Sequence, residues 1–458
     1  MNYPKITAAV VFALTANSAA HALDISATLA APAQLVAAGA SAARDSVLAL
    51  LHNNVCASGT LTVYRAFPTA LQDFRAYSCT ITAGGTAGSA FGSAAGNAAT
   101  IYYRSEGGSA FGPVSIATNT PIQSLVVDTR CTAAGTIAAG TSTVPVFNCE
   151  VASYVLGNDT VGSGLVKRTT ELGVSDEEPA MYVDANYPSS TVFPAFSGTV
   201  RGQLTSLAQT PGFAQVFGVL LSNSGVTSGI TSLTEAEIAA IYSGAITDWN
   251  DTINPATGQE NPSGAITVVR RENGSGTQVA AAHQFLNTLN CSNAALPFVT
   301  DGPDADNGAC TVASPAGGTN TDGVLERGTT SDLEACVNLN PGAIGLNVFK
   351  ASAPTGTHYA QINGVTPSKF AAARGEYNFW YELTFQTGTG LTAADAAVAS
   401  GLVSLSQRTA FTPNTDSVMA LPNLFNAPVI PVATAGVPVS VASRNGNSCQ
   451  LPQNTISN

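Results

Sequence analysis

Between residues 211 and 349 the chain alternates continuous apolar runs with segments of helical period. This alternation restricts the fold more than any other feature. "QVFGVLLSN", Gln215 to Asn223, is apolar without a break, the mark of a strand buried on both faces. "SLTEAEIAAIYSG" follows as a helix, with Thr234 and Glu237 as a capping box, Ile238, Ile241 and Tyr242 on one face, and Gly244 as a stop. "AITVV" is the next strand, and "TQVAAAHQFLNTL" the next helix, with Val279, Ala282, Leu286 and Leu289 in register. "SDLEACV" opens a third helix, with Ser331 and Glu334 as its expected capping box, and "GAIGLNVF" is another buried strand. Strand and helix in turn predict a largely parallel sheet covered on both faces, an α/β lobe whose ligands lie beyond the strand C-termini.

The other segments are plainer. From Cys56 to about Thr170, runs such as "TLTVYRAF" and "TIYYRS" read as strands between turns. "TAGGTAGSAFGSAAGNAA", Thr82 to Ala99, is of low complexity and reads as a loop. At 458 residues the chain calls for more than one lobe. Lys5, the apolar stretch from Ile6 and the small residues Ala20 and Ala22 form an export signal, so 1–22 is expected to be cleaved. Export to the periplasm or beyond suits the eight cysteines, which are expected as disulfides. Pairing neighbours in sequence joins Cys56 to Cys79, Cys131 to Cys149 and Cys291 to Cys310, and leaves Cys336 for Cys449.

The formal net charge is −12, which argues against nucleic acid as a partner. Two arginines nevertheless stand together in "ITVVRRENGSGTQVAAAHQFL", Ile266 to Leu286. A strand ends at Arg270 and Arg271, and a glycine turn delivers the first amides of a helix. Those amides lack internal partners and carry partial positive charge. Glycine lets the backbone approach an anion, Ser275 and Thr277 add hydroxyls, and Arg271 adds a planar donor fork. A phosphate-like anion is the expected occupant. Val279 stands where a dinucleotide fingerprint needs its third glycine, no lysine follows the turn as in a P-loop, and Asn273 breaks a GxSxG elbow. The alternative is a bare strand-to-helix turn with solvated arginines.

"LTEAEIAAIYSGAITDWNDTINP", "ITVVRRENGSGTQ" and "NPGAIGLNVF", in this order, resemble the phosphate-binding proteins of bacterial phosphate ABC transporters. The resemblance spans roughly residues 216–349. It implies a type 2 periplasmic-binding-protein fold, two α/β lobes with a ligand cleft between them. The expected division is 23–211 and 348–458 for the first lobe and 212–347 for the second. By the same resemblance, "GASAARD" supplies Ser41 and the N–H of Ala42, "RSEGG" supplies Ser105, and "GVSDEEP" supplies Asp176. These join Arg271, Ser275, Gly276 and Thr277 around phosphate, with Arg271 as the only cation and Arg270 directed elsewhere. Asp176 would accept a hydrogen bond from a protonated phosphate and repel sulfate. Asn273 departs from the family, which commonly carries Asp there. An ABC permease is the implied partner. The expected protein is a monomer without cofactor or metal and not an enzyme.

Other residues read as structural. His283 is expected near an apolar helix face, and the aromatics of "YNFWYELTF" as packing. The rival readings are a secreted phosphate-binding or matrix protein without a permease, and a phosphoester hydrolase. The latter would need a nucleophile with its base or a metal pair.

Overall fold

A computed structural model describes residues 22–407, apart from 69–70, 140–141, 153–162, 184–185, 189–190, 256, 287–309, 311–322, 351 and 374. It also gives the backbone of 418–419, 439–443 and 453–457. The expected signal segment, Leu289, Cys291 and Cys449 lie outside the described residues.

The first long strand, β1 (Ala33–Gly39), turns at Ala40–Ala43 into helix α1 (Arg44–Leu50). β2 (Thr62–Phe67) and β3 (Phe74–Thr80) pair antiparallel; helix α2 (Gly85–Ala90) follows, and β4 (Ala98–Arg104) runs parallel to β1. Helix α3 (Phe111–Thr118) precedes a hairpin of β5 (Cys131–Ala139) and β6 (Ser142–Glu150), and β7 (Leu172–Ser175) returns beside β1. β8 (Thr210–Ser222) leads to helix α4 (Glu235–Tyr242), then β9 (Thr267–Arg271) and helix α5 (Gly276–Phe285). After these come β10 (Val324–Arg327), helix α6 (Thr330–Leu339), β11 (Ala343–Val348) and β12 (Thr357–Ile362). The last principal pair is β13 (Trp380–Thr387) and helix α7 (Ala393–Ser406).

The main path through the sheet is β10-β9-β11-β8-β13-β7-β1-β4-β3-β2-β6-β5. The sheet is mixed rather than largely parallel. β1 pairs parallel with β4 and β7, and β9 with β10 and β11, but β8 is antiparallel to β11, β12 and β13. Apolar runs report burial and not direction, so the sequence pattern could not separate the two.

β8 belongs to both halves of the molecule. Its start, Thr210 to Val216, pairs with β13; its end, from Phe217, pairs with β11 and β12. The core divides at the same place. Leu35, Tyr103, Val174, Phe213, Leu383 and Leu402 share one apolar cluster. Ala214, Val216, Trp249, Ile344, Ile362 and Trp380 share another. By this clustering, β13 changes from the second core to the first near Glu382. Segment 348–381 stays with the second half because β12 adds a strand beside β8, pairing Val219 with Ala360. Tyr377, Phe379, Trp380 and Tyr381 are buried in that second cluster.

Two local expectations change and a third holds. The segment 82–99 is not simply a loop: it contains α2 and buries Phe91 completely. Gly401 of α7 makes room for that ring, since a Cβ there would lie 2.1 Å from it. Small residues carry no periodic apolar signal, yet they permit this close packing. At α6 the cap is Thr329, whose hydroxyl accepts from the Asp332 amide, two residues before the expected Ser331 box. At α4 the Thr234–Glu237 capping box is present as read.

Cys56–Cys79 and Cys131–Cys149 are disulfides, the second joining directly opposed residues of β5 and β6. Cys310 bonds Cys336, not Cys291, so the expected Cys291–Cys310 and Cys336–Cys449 pairs are both corrected. The approach comes from tertiary packing. Cys336 is buried on α6, and Asn340, the residue just after that helix, donates from Nδ2 to the Cys310 carbonyl at 2.6 Å. Sequence proximity could not report it.

Phe91→Ala should cost about 3–5 kcal/mol in chemical denaturation. Gly401→Ala alone should also destabilise, and the double variant should lose less than the sum of the two. Strict additivity would show that the ring and the glycine do not share one space.

Candidate functional site

Four strand ends converge. β1 ends before Ser41, β4 before Ser105 and β7 before Asp176, while β9 ends on Arg271. β1, β4 and β7 run parallel, so their C-terminal turns open at one edge. The C-terminal end of β9 meets that edge from the second half, through contacts described next.

The glycine turn crosses between the halves. Gly274 has φ of 91°, a conformation that favours glycine, and its carbonyl accepts from the Ala110 amide at 2.9 Å. α5 then starts with Ser275 at its cap, and the Ser275 side chain makes no capping hydrogen bond. Gly276 presses against the first half: a Cβ there would stand 2.5 Å from Ser109 Oγ and 2.6 Å from the Asp176 Cβ. Only hydrogen fits. Any larger residue would push the helix start away from Asp176.

Asp176 is 2 % exposed. Ser109 donates to its Oδ2 at 2.8 Å, and the Gln215 amide donates to its Oδ1 at 2.9 Å. Burial pushes its carboxyl up to about 6, against the opposing pull of the Ser109 hydroxyl, the Arg271 charge and the Gln215 amide. A carboxylate with this environment gains from a proton donor near it.

Ser275 Oγ and Thr277 Oγ1 are buried and have no hydrogen-bond partner among the described residues. Buried hydroxyls seldom stay unpaired, because the loss costs about 1–3 kcal/mol each. Two of them flank an uncapped helix start. Thr277 also borders a small void shared with Arg270, Arg271 and Tyr242.

Arg271 is 2 % exposed, and its three nitrogens are held by neighbouring acceptors. Nε donates to the Arg327 carbonyl at 3.1 Å, one terminal nitrogen to the Gly328 carbonyl at 2.7 Å, and the other to Thr330 Oγ1 at 3.2 Å. Among the described residues it forms no ion pair, and burial lowers its proton affinity. Asn273 leaves the turn without a carboxylate at that position, and Glu272, the acid nearest in sequence, is pushed by burial up to about 8. Arg270 turns away and pairs with Glu326, as expected.

The remaining expected residues divide. Ser41 lies 3.2 Å from Thr330 Oγ1, across from Arg271. Ala42 packs with the apolar cluster of the second half. Ser105 is fully buried, and its hydroxyl donates to Asp73 Oδ1 at 2.5 Å. Asp73 also takes Arg44 at 2.6 Å, and Arg44 reaches Ser331 at 3.4 Å. Arg44 is thus a second cation at this edge, where the sequence had pointed to Arg271 alone. Ser109, Thr330, Gln215, Arg44 and Asp73 escaped the sequence reading. Ser109 follows the Gly107–Gly108 turn and had a local signal; the others are brought in from separate elements.

His283 is 5 % exposed, with Nδ1 3.9 Å from Glu177 Oε2. Among the described residues no group of three or more His, Cys, Asp or Glu is placed to hold a metal. No described helix is long and apolar enough to cross a membrane.

The raised Asp176 carboxyl has a stability consequence in the empty protein. Between pH about 4 and about 6 the unfolded chain ionises this group while the folded chain keeps its proton. Stability therefore falls as pH rises through that window, by a total on the order of 3 kcal/mol. Asp176→Asn removes the effect. Its melting temperature relative to the natural protein should rise from pH 4 to pH 7 by a few degrees. A flat difference would mean that Asp176 is not held in a desolvated site.

Residues 215–399 match the model of the PBP superfamily domain. Among solved structures, the chain is similar to a putative phosphate ABC transporter substrate-binding protein with bound phosphate from Clostridium perfringens. That match has 12% identity and a TM-score of 0.43, and covers 84% of this chain and 99% of the other. A phosphate-binding protein from Stenotrophomonas maltophilia matches at 14% identity and a TM-score of 0.36, over 78% of each chain. A possible phosphate-binding protein from Planctomyces limnophilus matches at 9% identity and a TM-score of 0.31, covering 78% of this chain and 81% of the other. No curated protein matches the sequence. The likeness to a known family is thus to the PBP superfamily domain over residues 215–399, within a mixed α/β architecture.

Proposed function

We propose that this protein is an exported solute-binding protein that holds inorganic phosphate between its two halves and delivers it to an ABC permease. The observation that carries the reading is the pair of unpartnered hydroxyls, Ser275 and Thr277, at the uncapped start of α5 beside buried Asp176. Helix amides and hydroxyls supply donors for the anion oxygens, and Arg271 supplies charge at a fixed angle. Ser41 donates from the first half. The role of Ser105 is indirect, since its hydroxyl is committed to Asp73.

Asp176 gives the site its choice among anions. Ionised, it accepts a hydrogen bond from a phosphate that still bears a proton. Sulfate bears none at neutral pH and would set like charges together in a buried place. Protonated Asp176 can instead donate, so discrimination weakens as pH falls below about 6. No bond is made or broken; a ligand that prefers the closed arrangement shifts the population toward it.

Calorimetry on the purified protein checks this directly. Phosphate should bind, and Arg271→Ala should abolish tight binding. Asp176→Asn should narrow the gap between phosphate and sulfate about tenfold or more at pH 7.5, and the natural protein should lose part of that gap at pH 5. An Arg271→Ala protein with unchanged phosphate affinity would sink the proposed site.

A further inference from the structure

Thr330 stands where the two halves meet, and hydrogen-bond direction fixes what its hydroxyl does. A guanidinium only donates. At 3.2 Å from Arg271, Thr330 Oγ1 must therefore accept. Its own proton needs another acceptor, and Ser41 Oγ is 3.2 Å away. Thr330 is 6 % exposed and Ser41 7 %, so neither hydroxyl is well solvated. If Ser41 donated to Thr330 instead, the Thr330 proton would be stranded in a buried place. With Thr330 donating, the chain runs Arg271 to Thr330 to Ser41, and the one spare proton falls on Ser41.

From this geometry we infer that Thr330 is a positioning residue for anion binding: it carries the polarisation of Arg271 across the cleft and turns Ser41 into a committed donor. The inference rests on the phosphate reading of the site. Hydrogen bonds in such a series strengthen one another, most of all when a cation heads the series. The link also ties closure to charge. Ser41 belongs to the turn after β1, Arg271 and Thr330 to β9 and α6 of the second half, so the series is complete only when the halves meet. Arg44 and Ser331 make a second contact one residue further along α6. The α6 cap is a separate residue, Thr329, so changing Thr330 leaves the helix start intact.

The test is a set of variants titrated with inorganic phosphate, arsenate and sulfate by calorimetry. Thr330→Val keeps the shape and removes the hydroxyl; it should weaken phosphate binding about tenfold or more. Thr330→Ser should restore affinity to within about threefold of the natural protein, which a purely space-filling role would not require. Ser41→Ala should cost at least fivefold less in the Thr330→Val background than alone. Thr330→Val within twofold of the natural affinity, no rescue by Ser, or additive costs would each overturn the inference while leaving phosphate binding in place. A natural protein that binds none of the three anions would instead overturn the reading of the site, and this inference with it.

Discussion

The start of α5 lies against Asp176 with only a hydrogen atom of Gly276 between them, and the remainder of the site is arranged about that contact. A helix start carries partial positive charge, and a buried carboxylate carries full negative charge. Their approach is favourable by itself, yet it leaves the hydroxyls of Ser275 and Thr277 unused. The protein has spent a glycine, a serine from the Gly107–Gly108 turn and a glutamine from β8 on holding the carboxylate in place. Such support is more than a structural turn requires. It is the support that the proposed anion site calls for, where a like-charged group would face the ligand.

Two cations share this edge but are treated differently. Arg44 is neutralised directly by Asp73, which also occupies Ser105. Arg271 is held by two carbonyls and a hydroxyl, which orient it without cancelling its charge. In a chain of net charge −12, a guanidinium with no ion pair among the described residues is a local exception to the overall field. Asn273 belongs to that arrangement, since a carboxylate at that position would add negative charge beside Arg271.

The strand-helix alternation from Gln215 onward, the α4 capping box and the strand-turn-helix around Arg271 were legible because each is a local pattern. The direction of β8 was not, because an apolar run reads the same in either sense. The boundary near Glu382 was hidden by β12, whose partly exposed residues lack the continuous apolar run of its neighbours. α2 was hidden because Gly, Ala and Ser give no period, and its one informative residue, Phe91, pairs with Gly401 over three hundred positions away. Within the site, the sequence led to the strand ends and the glycine turn. Thr330 and Arg44 reach Ser41 and Ser331 through contacts between the halves, which no spacing along the chain records.

β8 and β13 run through both halves as paired strands, so no slack connector lies between the cores at that point. Separating the halves must wring these ribbons about their own length, as a torsion bar is wrung, instead of swinging them on a loose pivot. A change in the angle between the halves is then shared among the backbone torsions of many paired residues and is not concentrated at one joint.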